Sequence, residues 1–165
     1  MASDKPLVAV LMGSASDAPA LQPCFDMLKK LGIPYEARVL SAHRTPRETA
    51  AFVENSEKGS VQVFIAAAGM AAHLAGAVAA HTTLPVIGIP VASGALNGQD
   101  SLLSTVMMPP GMPVATVAIN GAANAAVLAA QILSLGRADL RKKLRAERDA
   151  MRKKVLEADR KLREG

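Results

Sequence analysis

The sequence has few aromatic side chains, with no Trp, one Tyr and three Phe among its 165 residues. Aromatic rings are the usual stacking platforms for flavins and for unpaired nucleic-acid bases, so their scarcity disfavours both kinds of ligand. The single cysteine, Cys24, cannot form an internal disulfide and is typical of a reducing compartment. No apolar run reaches the length of about 20 residues that a membrane-spanning helix needs.

The first ten residues, MASDKPLVAV, have no basic region ahead of their apolar stretch. Such a start is not typical of a secretory signal. Together with the lone cysteine, it predicts a cytoplasmic protein with no membrane partner.

Positive charge is concentrated at one end of the chain. The formal net charge is +5, but residues 137–165 carry twelve Lys and Arg against six Asp and Glu, whereas residues 1–136 carry seven against eight. A mixed-sign run of this kind is usually the solvated face of a helix. We therefore expect no nucleic-acid partner.

Five β-prone runs alternate with helix-like segments. Several of the runs are apolar without a break, which is typical of strands buried on both faces of a parallel sheet. This alternation predicts an α/β fold, a three-layer αβα sandwich whose five-stranded parallel sheet has the flavodoxin-like order 2-1-3-4-5. The predicted strands are 7–13, 35–42, 61–69, 85–91 and 114–120, and the predicted helices between them are 17–32, 45–59, 70–82 and 121–136.

Local signals set the start of two helices. Asp17 is a candidate N-cap for the first helix, and Gly32 follows its end. Thr45 is a candidate N-cap for the second, with Glu48 as the third-position partner of a capping box.

Two segments depart from the regular alternation. Residues 92–113 form a long connection with a short helical piece, and connections of this length are often functional. Residues 137–165 predict a long helix, appended to a catalytic domain of residues 1–136. Its apolar stripe recurs with an eleven-residue spacing, and we expect it to pack on a neighbouring subunit. The stripe consists of Leu140, Leu144, Met151, Val155 and Leu162.

Polar side chains follow the first three predicted strands. In an open parallel sheet, ligands bind beyond the carboxyl ends of the strands, where the strand order reverses. The loops after strands 1, 2 and 3 should therefore meet in one crevice. They contain MGSASD with Gly13, Ser14 and Asp17, SAHRTP with Ser41, Ala42, His43 and Arg44, and GMAAHLAG with Gly69, His73 and Leu74.

Each of these residue types has a structural reading as well as a chemical one. Ser14 and Asp17 can simply cap a helix, or they can hold a phosphate and a sugar hydroxyl at its positive end. Arg44 suits phosphate, and a neighbouring cation would keep the His43 imidazole neutral and ready to exchange protons. His73, inside the third predicted helix, is either a structural histidine or part of the site, and we assign His81 no chemistry.

Other chemical motifs are absent from the sequence. There is no glycine-rich dinucleotide motif, no P-loop, and no Cys or His cluster with metal-ligand spacing. The residues alone therefore predict a small phosphorylated ligand, one acid/base histidine and no metal.

With MGSASD, SAHRTP, GMAAHLAG and ANAAVLAAQIL in this order and spacing, the chain resembles the class I family of N5-carboxyaminoimidazole ribonucleotide mutases. The resemblance runs from about Leu7 to Leu135. It implies an isomerase of purine biosynthesis that moves a carboxylate from the exocyclic nitrogen of an aminoimidazole nucleotide to ring carbon 4, without a cofactor. It also implies a homo-octamer with active sites where subunits meet.

The resemblance assigns roles to the residues of the three loops. His43 matches the proton-transferring histidine, and Ser14, Asp17 and Arg44 match nucleotide-binding residues. Ser41 and Ala42 line the same loop, while Gly69, His73 and Leu74 fall where the family's third loop closes over the imidazole and the carbon dioxide. Gly13 is a candidate from the residues alone, because a glycine there lets a ligand approach the backbone. Mutase activity would also require a source of the N-carboxylated substrate.

The third loop departs from the family pattern at three positions. Ala67, Met70 and Ala75 stand where Gly, Gly and Pro are usual, and Met70 could crowd the ligand or restrict the backbone. Two alternatives to the mutase are a class II-like carboxylase that uses free carbon dioxide and a non-enzymatic flavodoxin-like binding module. Arg44 disfavours the first, since class II enzymes typically have lysine there. The lack of aromatic rings disfavours a flavin carrier.

Overall fold

The structure is a computed structural model that describes residues 5–164. The first four residues of the N-terminal stretch, on which the absence of a secretory signal was predicted, lie outside this range, as does Gly165. Within the described range no helix is both long enough and apolar enough to cross a membrane.

Residues 5–164 contain five strands and six helices, which alternate up to the two consecutive C-terminal helices, and one short 3₁₀ turn at Ala15–Asp17. The strands are β1 (Val8–Met12), β2 (Tyr35–Val39), β3 (Val63–Gly69), β4 (Val86–Val91) and β5 (Ala115–Thr116). The helices are α1 (Ala18–Leu31), α2 (Pro46–Glu57), α3 (Leu74–Ala79), α4 (Gln99–Val106), α5 (Ala122–Leu133) and α6 (Ala138–Glu164).

The sheet is parallel and has the order β2-β1-β3-β4-β5, which confirms the predicted flavodoxin-like fold. Alternate residues of β1 point to opposite faces of the sheet. Val8 and Val10 pack with α1 and α5, whereas Ala9 and Leu11 pack with α2 and α3. Each face of the sheet therefore has its own apolar layer, as a three-layer sandwich requires.

Alanine explains how this core closes without large aromatic side chains. Five residues of α5 are both small and completely buried, so this helix can lie close to α1 and to the sheet. They are Ala122, Ala125, Ala126, Ala129 and Ala130. Cys24, on α1, is also completely buried in this layer, and its burial raises the thiol pKa to about 12. This agrees with a packing role for Cys24.

The fifth strand is much shorter than the predicted 114–120, because Pro90 interrupts its pairing with β4. The carbonyl of Gly88 accepts a hydrogen bond from Val117 N–H, and the carbonyl of Pro90 accepts one from Asn120 N–H. Both residues of β4 therefore face β5, but Pro90 has no N–H to donate in return. Between these two hydrogen bonds the chain after β5 advances three residues, from 117 to 120, while β4 advances two, from 88 to 90. This mismatch ends the regular pairing of the two strands.

The second predicted strand, 35–42, departs from the pattern of strands buried on both faces of the sheet. β2 is the edge strand of the sheet and its last three residues are exposed, with Val39 53% accessible. It also ends three residues earlier than predicted, so that 40–45 form the loop that carries Ser41, His43 and Arg44.

Two helices begin directly after the predicted N-cap residues, but without the predicted side-chain cap hydrogen bonds. Thr45 does precede α2, but its side chain makes no N-terminal cap and the predicted capping box with Glu48 does not form. The Thr45 hydroxyl instead accepts from Ser41 N–H at 2.8 Å and donates to the Ser41 carbonyl at 3.1 Å. Asp17 likewise precedes α1 without a side-chain cap, because its carboxylate accepts from Ser14 N–H.

The third predicted helix, 70–82, is reduced to Leu74–Ala79. Met70 has a φ of 54°, in the left-handed region, and a residue in that conformation cannot continue an α-helix. His73 therefore lies at the N-terminal boundary of α3 and not inside it, as was expected.

The predicted C-terminal helix is present as α6, and its apolar stripe divides into two parts. Leu140 is buried in the core and Leu144 packs against the same layer, so this end of the helix lies on its own chain. Lys143 Nζ donates to the Leu31 carbonyl, and Lys30 pairs with Glu147. From residue 148 to 164 every residue of the helix is exposed. The packing of Met151, Val155 and Leu162 on a neighbouring subunit stays a prediction.

Candidate active site

A cavity of about 460 Å³ opens beyond the carboxyl ends of the strands. All ten site residues predicted from the sequence line it: Gly13, Ser14, Asp17, Ser41, Ala42, His43, Arg44, Gly69, His73 and Leu74. The three predicted loops therefore converge on one place, where the order of a doubly wound sheet reverses.

The loop after β1 presents hydroxyls and a carboxylate to the cavity. Ser14 Oγ accepts from Ser16 N–H, and Asp17 Oδ2 accepts from Ser14 N–H at 3.1 Å. Burial raises the pKa of the Asp17 carboxyl, an effect that the Ser14 N–H bond and the nearby Arg44 charge oppose. An ionised Asp17 in this half-buried position is stabilised further by any ligand hydroxyl that donates to it.

The loop after β2 brings a cation to the same point. Arg44 Nη2 donates to the Gly13 carbonyl at 2.7 Å, which fixes the guanidinium beside the first loop. The backbone N–H of Arg44 donates to Ser41 Oγ at 3.2 Å. Because only part of the guanidinium is used by the chain, its remaining N–H groups can bind an anion.

The two histidines of the site contact each other directly. His43 Nε2 lies 2.7 Å from His73 Nδ1, and the two rings meet edge to face with an interplanar angle of 83°. This bond needs a single hydrogen between the two nitrogens, so one ring donates and the other accepts. The position of His73 at the boundary of α3 places its ring in the cavity beside His43.

At the end of β3, a glycine with no room for a side chain, Gly69, is followed by a methionine with a positive φ, Met70. An added Cβ at Gly69 would lie 2.2 Å from Ser93 Oγ, so no larger residue fits there without a shift. Met70 lines the cavity, is 60% exposed and has a positive φ that normally favours glycine. Ala67 and Ala75 are buried in the apolar layers and do not line the cavity. Of the three departures from the family pattern, Met70 alone reaches the site.

Sequence reasoning missed part of the cavity wall. Ser93 lies in the long connection after β4, which had been marked as functional without a residue being chosen, while the other missed residues adjoin predicted ones. The missed lining residues are Ala68, Ala71 and Ser93. His81 lies outside the cavity, with its Nδ1 3.4 Å from Glu54 Oε1, and no role in the site follows from this contact.

The arrangement combines a fixed guanidinium, hydroxyls at the start of a helix, one carboxylate and a pair of linked imidazoles. Such a set can bind a phosphorylated ligand and move a proton beside it. Fold and cavity together define a flavodoxin-like α/β protein whose cavity at the switch point of the sheet is lined by two histidines and an arginine.

Comparison with known proteins agrees with this class. The family described as AIR carboxylase matches residues 7–154. The chain is 49% identical to N5-carboxyaminoimidazole ribonucleotide mutase of Pyrococcus horikoshii, over 99% of this chain and 93% of that protein. It is 52% identical to the enzyme of the same name from Bacillus subtilis, over 93% of this chain and 96% of that protein. The crystal structure of Treponema denticola PurE superimposes with a TM-score of 0.87 at 32% identity, covering 96% of this chain and 99% of that one.

The chain belongs to the AIR carboxylase family, which confirms the family resemblance predicted from the loop motifs.

Proposed function

We propose that this protein is an N5-carboxyaminoimidazole ribonucleotide mutase of purine biosynthesis, an isomerase that moves a carboxylate from the exocyclic nitrogen to carbon 4 of the imidazole. The observation that carries the proposal is the His43–His73 pair facing a cavity that also holds Arg44 and Asp17. Relatives that bear the mutase name match almost the whole chain, which supports the same reaction.

The polar groups of the cavity favour one orientation of the nucleotide. Its phosphate pairs with the Arg44 guanidinium and with the hydroxyls and N–H groups at Ser14, since these are the anion-binding groups of the site. Asp17 accepts hydrogen bonds from the ribose hydroxyls, and the imidazole then lies towards His43, His73 and Gly69. Ser41 and Ala42 form the wall beside the phosphate and ribose.

The reaction requires one proton to move and returns it by the end. When the N–carboxylate bond breaks, carbon dioxide leaves and the exocyclic nitrogen accepts a proton. When carbon 4 attacks the carbon dioxide, the new C–C bond forms and the proton of carbon 4 is released. A single imidazole at His43 can donate the first proton and accept the second, so the net change is an isomerisation. His73 holds the His43 ring in place through the 2.7 Å bond.

Carbon dioxide has to be retained between the two steps. A small uncharged molecule is held best by a close-fitting, mostly apolar wall that excludes water. Leu74, Ala68, Ala71 and Met70 supply such a wall at the third loop. The reaction needs no cofactor, because the proton carrier is the chain itself.

Labelled bicarbonate separates the mutase from a carboxylase that uses free carbon dioxide. We expect the protein to convert the N-carboxylated nucleotide to the C-carboxylated one with little uptake of label from the medium, because the carbon dioxide stays in the cavity. Mass spectrometry of the product after single-turnover and multiple-turnover reactions measures this uptake. Complete equilibration of label into the product during the first turnover would favour the carboxylase.

We also propose that the chain forms a homo-octamer in the cytoplasm, with active sites where subunits meet and with no nucleic-acid or membrane partner. The exposed part of α6 supports an association of subunits. Residues 148–164 form more than four helical turns in which every residue is exposed, and isolated helices of this length are marginal in water. Met151 and Val155, 59% and 68% exposed, continue the stripe that begins at the buried Leu140.

Replacing Met151 and Val155 together with Glu is expected to lower the molar mass of the assembly. Charged residues cannot be buried at an apolar subunit contact without a large desolvation cost. Light scattering on a size-exclusion column measures the mass. The control is Arg152→Glu with Lys153→Glu, which changes more charge on the same exposed segment but lies off the stripe. An unchanged mass for the stripe variant, or an equal loss in the control, would contradict a role for the stripe.

A further inference from the structure

The loop after β4, residues 92–98, delivers one hydroxyl to the cavity. Ser93 lines the wall opposite the β2 loop, and its Oγ lies 2.2 Å from the point where a side chain at Gly69 would begin. Because Gly69 has no side chain, the Ser93 hydroxyl can occupy this position. Within the described part of the chain, the Ser93 hydroxyl makes no hydrogen bond, whereas those of Ser14, Ser16 and Ser41 are all used in their own loops.

Two side chains hold this loop at its ends. Asn120 Oδ1 accepts from Ala92 N–H at 3.0 Å, and the Asn120 backbone N–H donates to the Pro90 carbonyl. The completely buried Ser101 lies within hydrogen-bond distance of both the Val91 and the Gly98 carbonyls, at 3.0 and 2.9 Å. Asn120 adopts a φ of 56°, which places its amide against the loop. The backbone on either side of Ser93 is thus fixed before any ligand binds.

The position of Ser93 across the sheet indicates which end of the ligand it meets. Arg44 contacts Gly13 at the end of β1, and Ser93 follows β4, which is two strands further along in the order β1-β3-β4. Two strand spacings are about 10 Å. This distance is comparable with the length of the ribose and imidazole of a nucleotide. A phosphate at Arg44 therefore places the imidazole end of the ligand near Ser93.

We propose that Ser93 is a substrate-binding residue whose hydroxyl donates to the carboxylate carried by the imidazole, and that Asn120 is the positioning residue for it. The proposal rests on the proposed mutase function. The charged groups that line the cavity, Asp17 and Arg44, belong to the β1 and β2 loops. A neutral donor on the β4 side can orient a carboxylate without holding it so tightly that it cannot move.

Two nucleotides that differ only in the carboxylate test the role of Ser93. Ser93→Ala removes one atom from a half-buried side chain, so we expect the fold to be unaffected. The variant should bind the C-carboxylated aminoimidazole nucleotide about 10- to 100-fold more weakly, since a hydrogen bond to a charged group is lost. Its affinity for the aminoimidazole nucleotide without the carboxylate should stay within about twofold of the unmodified chain. Isothermal titration calorimetry measures both.

Ser104→Ala is the matched control, because it removes a hydroxyl from α4 that bonds to the Asp100 carbonyl and does not line the cavity. It should leave both affinities unchanged. Equal weakening of both nucleotides by Ser93→Ala, or no weakening of either, would overturn the role of Ser93. Failure of the unmodified chain to bind either nucleotide would instead overturn the proposed function, and the role of Ser93 with it.

A double-mutant cycle tests the role of Asn120. Asn120→Gly keeps a residue that accepts a positive φ but removes the amide that holds Ala92. If Asn120 acts through Ser93, this change should weaken binding of the carboxylated nucleotide in the unmodified chain by about 5- to 20-fold and have less than about a twofold effect in the Ser93→Ala background. Additive effects of the two substitutions would overturn the positioning role.

Discussion

Replacing His43 with Asn is expected to lower kcat by about 10²- to 10⁴-fold, the usual contribution of general acid–base catalysis. Asn retains a polar side chain of similar reach but cannot exchange a proton at neutral pH. Because the proposed phosphate and ribose contacts are those of Arg44, Ser14 and Asp17, the dissociation constant of the nucleotide should change by less than about threefold. Steady-state kinetics and calorimetry with the same preparation separate the two effects.

The control for this substitution is His81→Asn. His81 lies outside the cavity beside Glu54, so its replacement should leave kcat unchanged. Retention of turnover by the His43 variant would remove this residue from the proton-transfer step. If His43→Asn weakened nucleotide binding and left kcat unchanged, the role of His43 would be in binding the nucleotide.

Replacing Arg44 with Ala is expected to weaken nucleotide binding by about 30- to 150-fold. Removing one partner of a charge-assisted pair with phosphate costs about 2–3 kcal/mol here, at the lower end of the usual range because Arg44 is exposed to solvent. Arg44→Lys keeps the charge but loses the planar guanidinium and its bond to Gly13. The nucleotide affinity of this variant should therefore lie between those of the unmodified chain and Arg44→Ala. Calorimetric titration with the nucleotide provides the measurement.

The corresponding nucleoside, which lacks the phosphate, isolates the pair that Arg44 is proposed to make. Arg44→Ala should have almost no effect on nucleoside affinity. Arg47→Ala is the matched control, since Arg47 lies on the exposed first turn of α2 outside the cavity. A similar loss for nucleoside and nucleotide would mean that Arg44 supports the loop and does not bind phosphate.

Much of this site could be predicted because a parallel sheet brings the ends of its strands together. The apolar runs identified the strands, the alternation with helices gave their order, and the polar residues after β1, β2 and β3 then had to meet. That argument needs only sequence-local patterns. It placed all ten predicted residues around one cavity.

The parts that could not be predicted depend on contacts between distant segments. The His43–His73 bond joins residues 30 apart, and it requires α3 to begin only after His73. The alanine-rich pattern indicated a longer helix, because helix propensity says nothing about the left-handed turn at Met70. Ser93 was missed for a similar reason, since its access to the cavity depends on the absence of a side chain at Gly69.

The two outer strands of the sheet also bear on how these chains avoid uncontrolled aggregation. An unpaired strand edge is a template onto which another chain can add. On one side, β2 presents Glu36 and Arg38, an ion pair at 3.2 Å that would have to lose its hydration beneath an incoming strand. On the other, β5 offers only two regular residues between Pro113 and the bulge opposite Pro90, too short a template for fibril-like growth. Pro90, which ends the regular pairing of β4 and β5, thus also limits edge-to-edge association between molecules at high concentration.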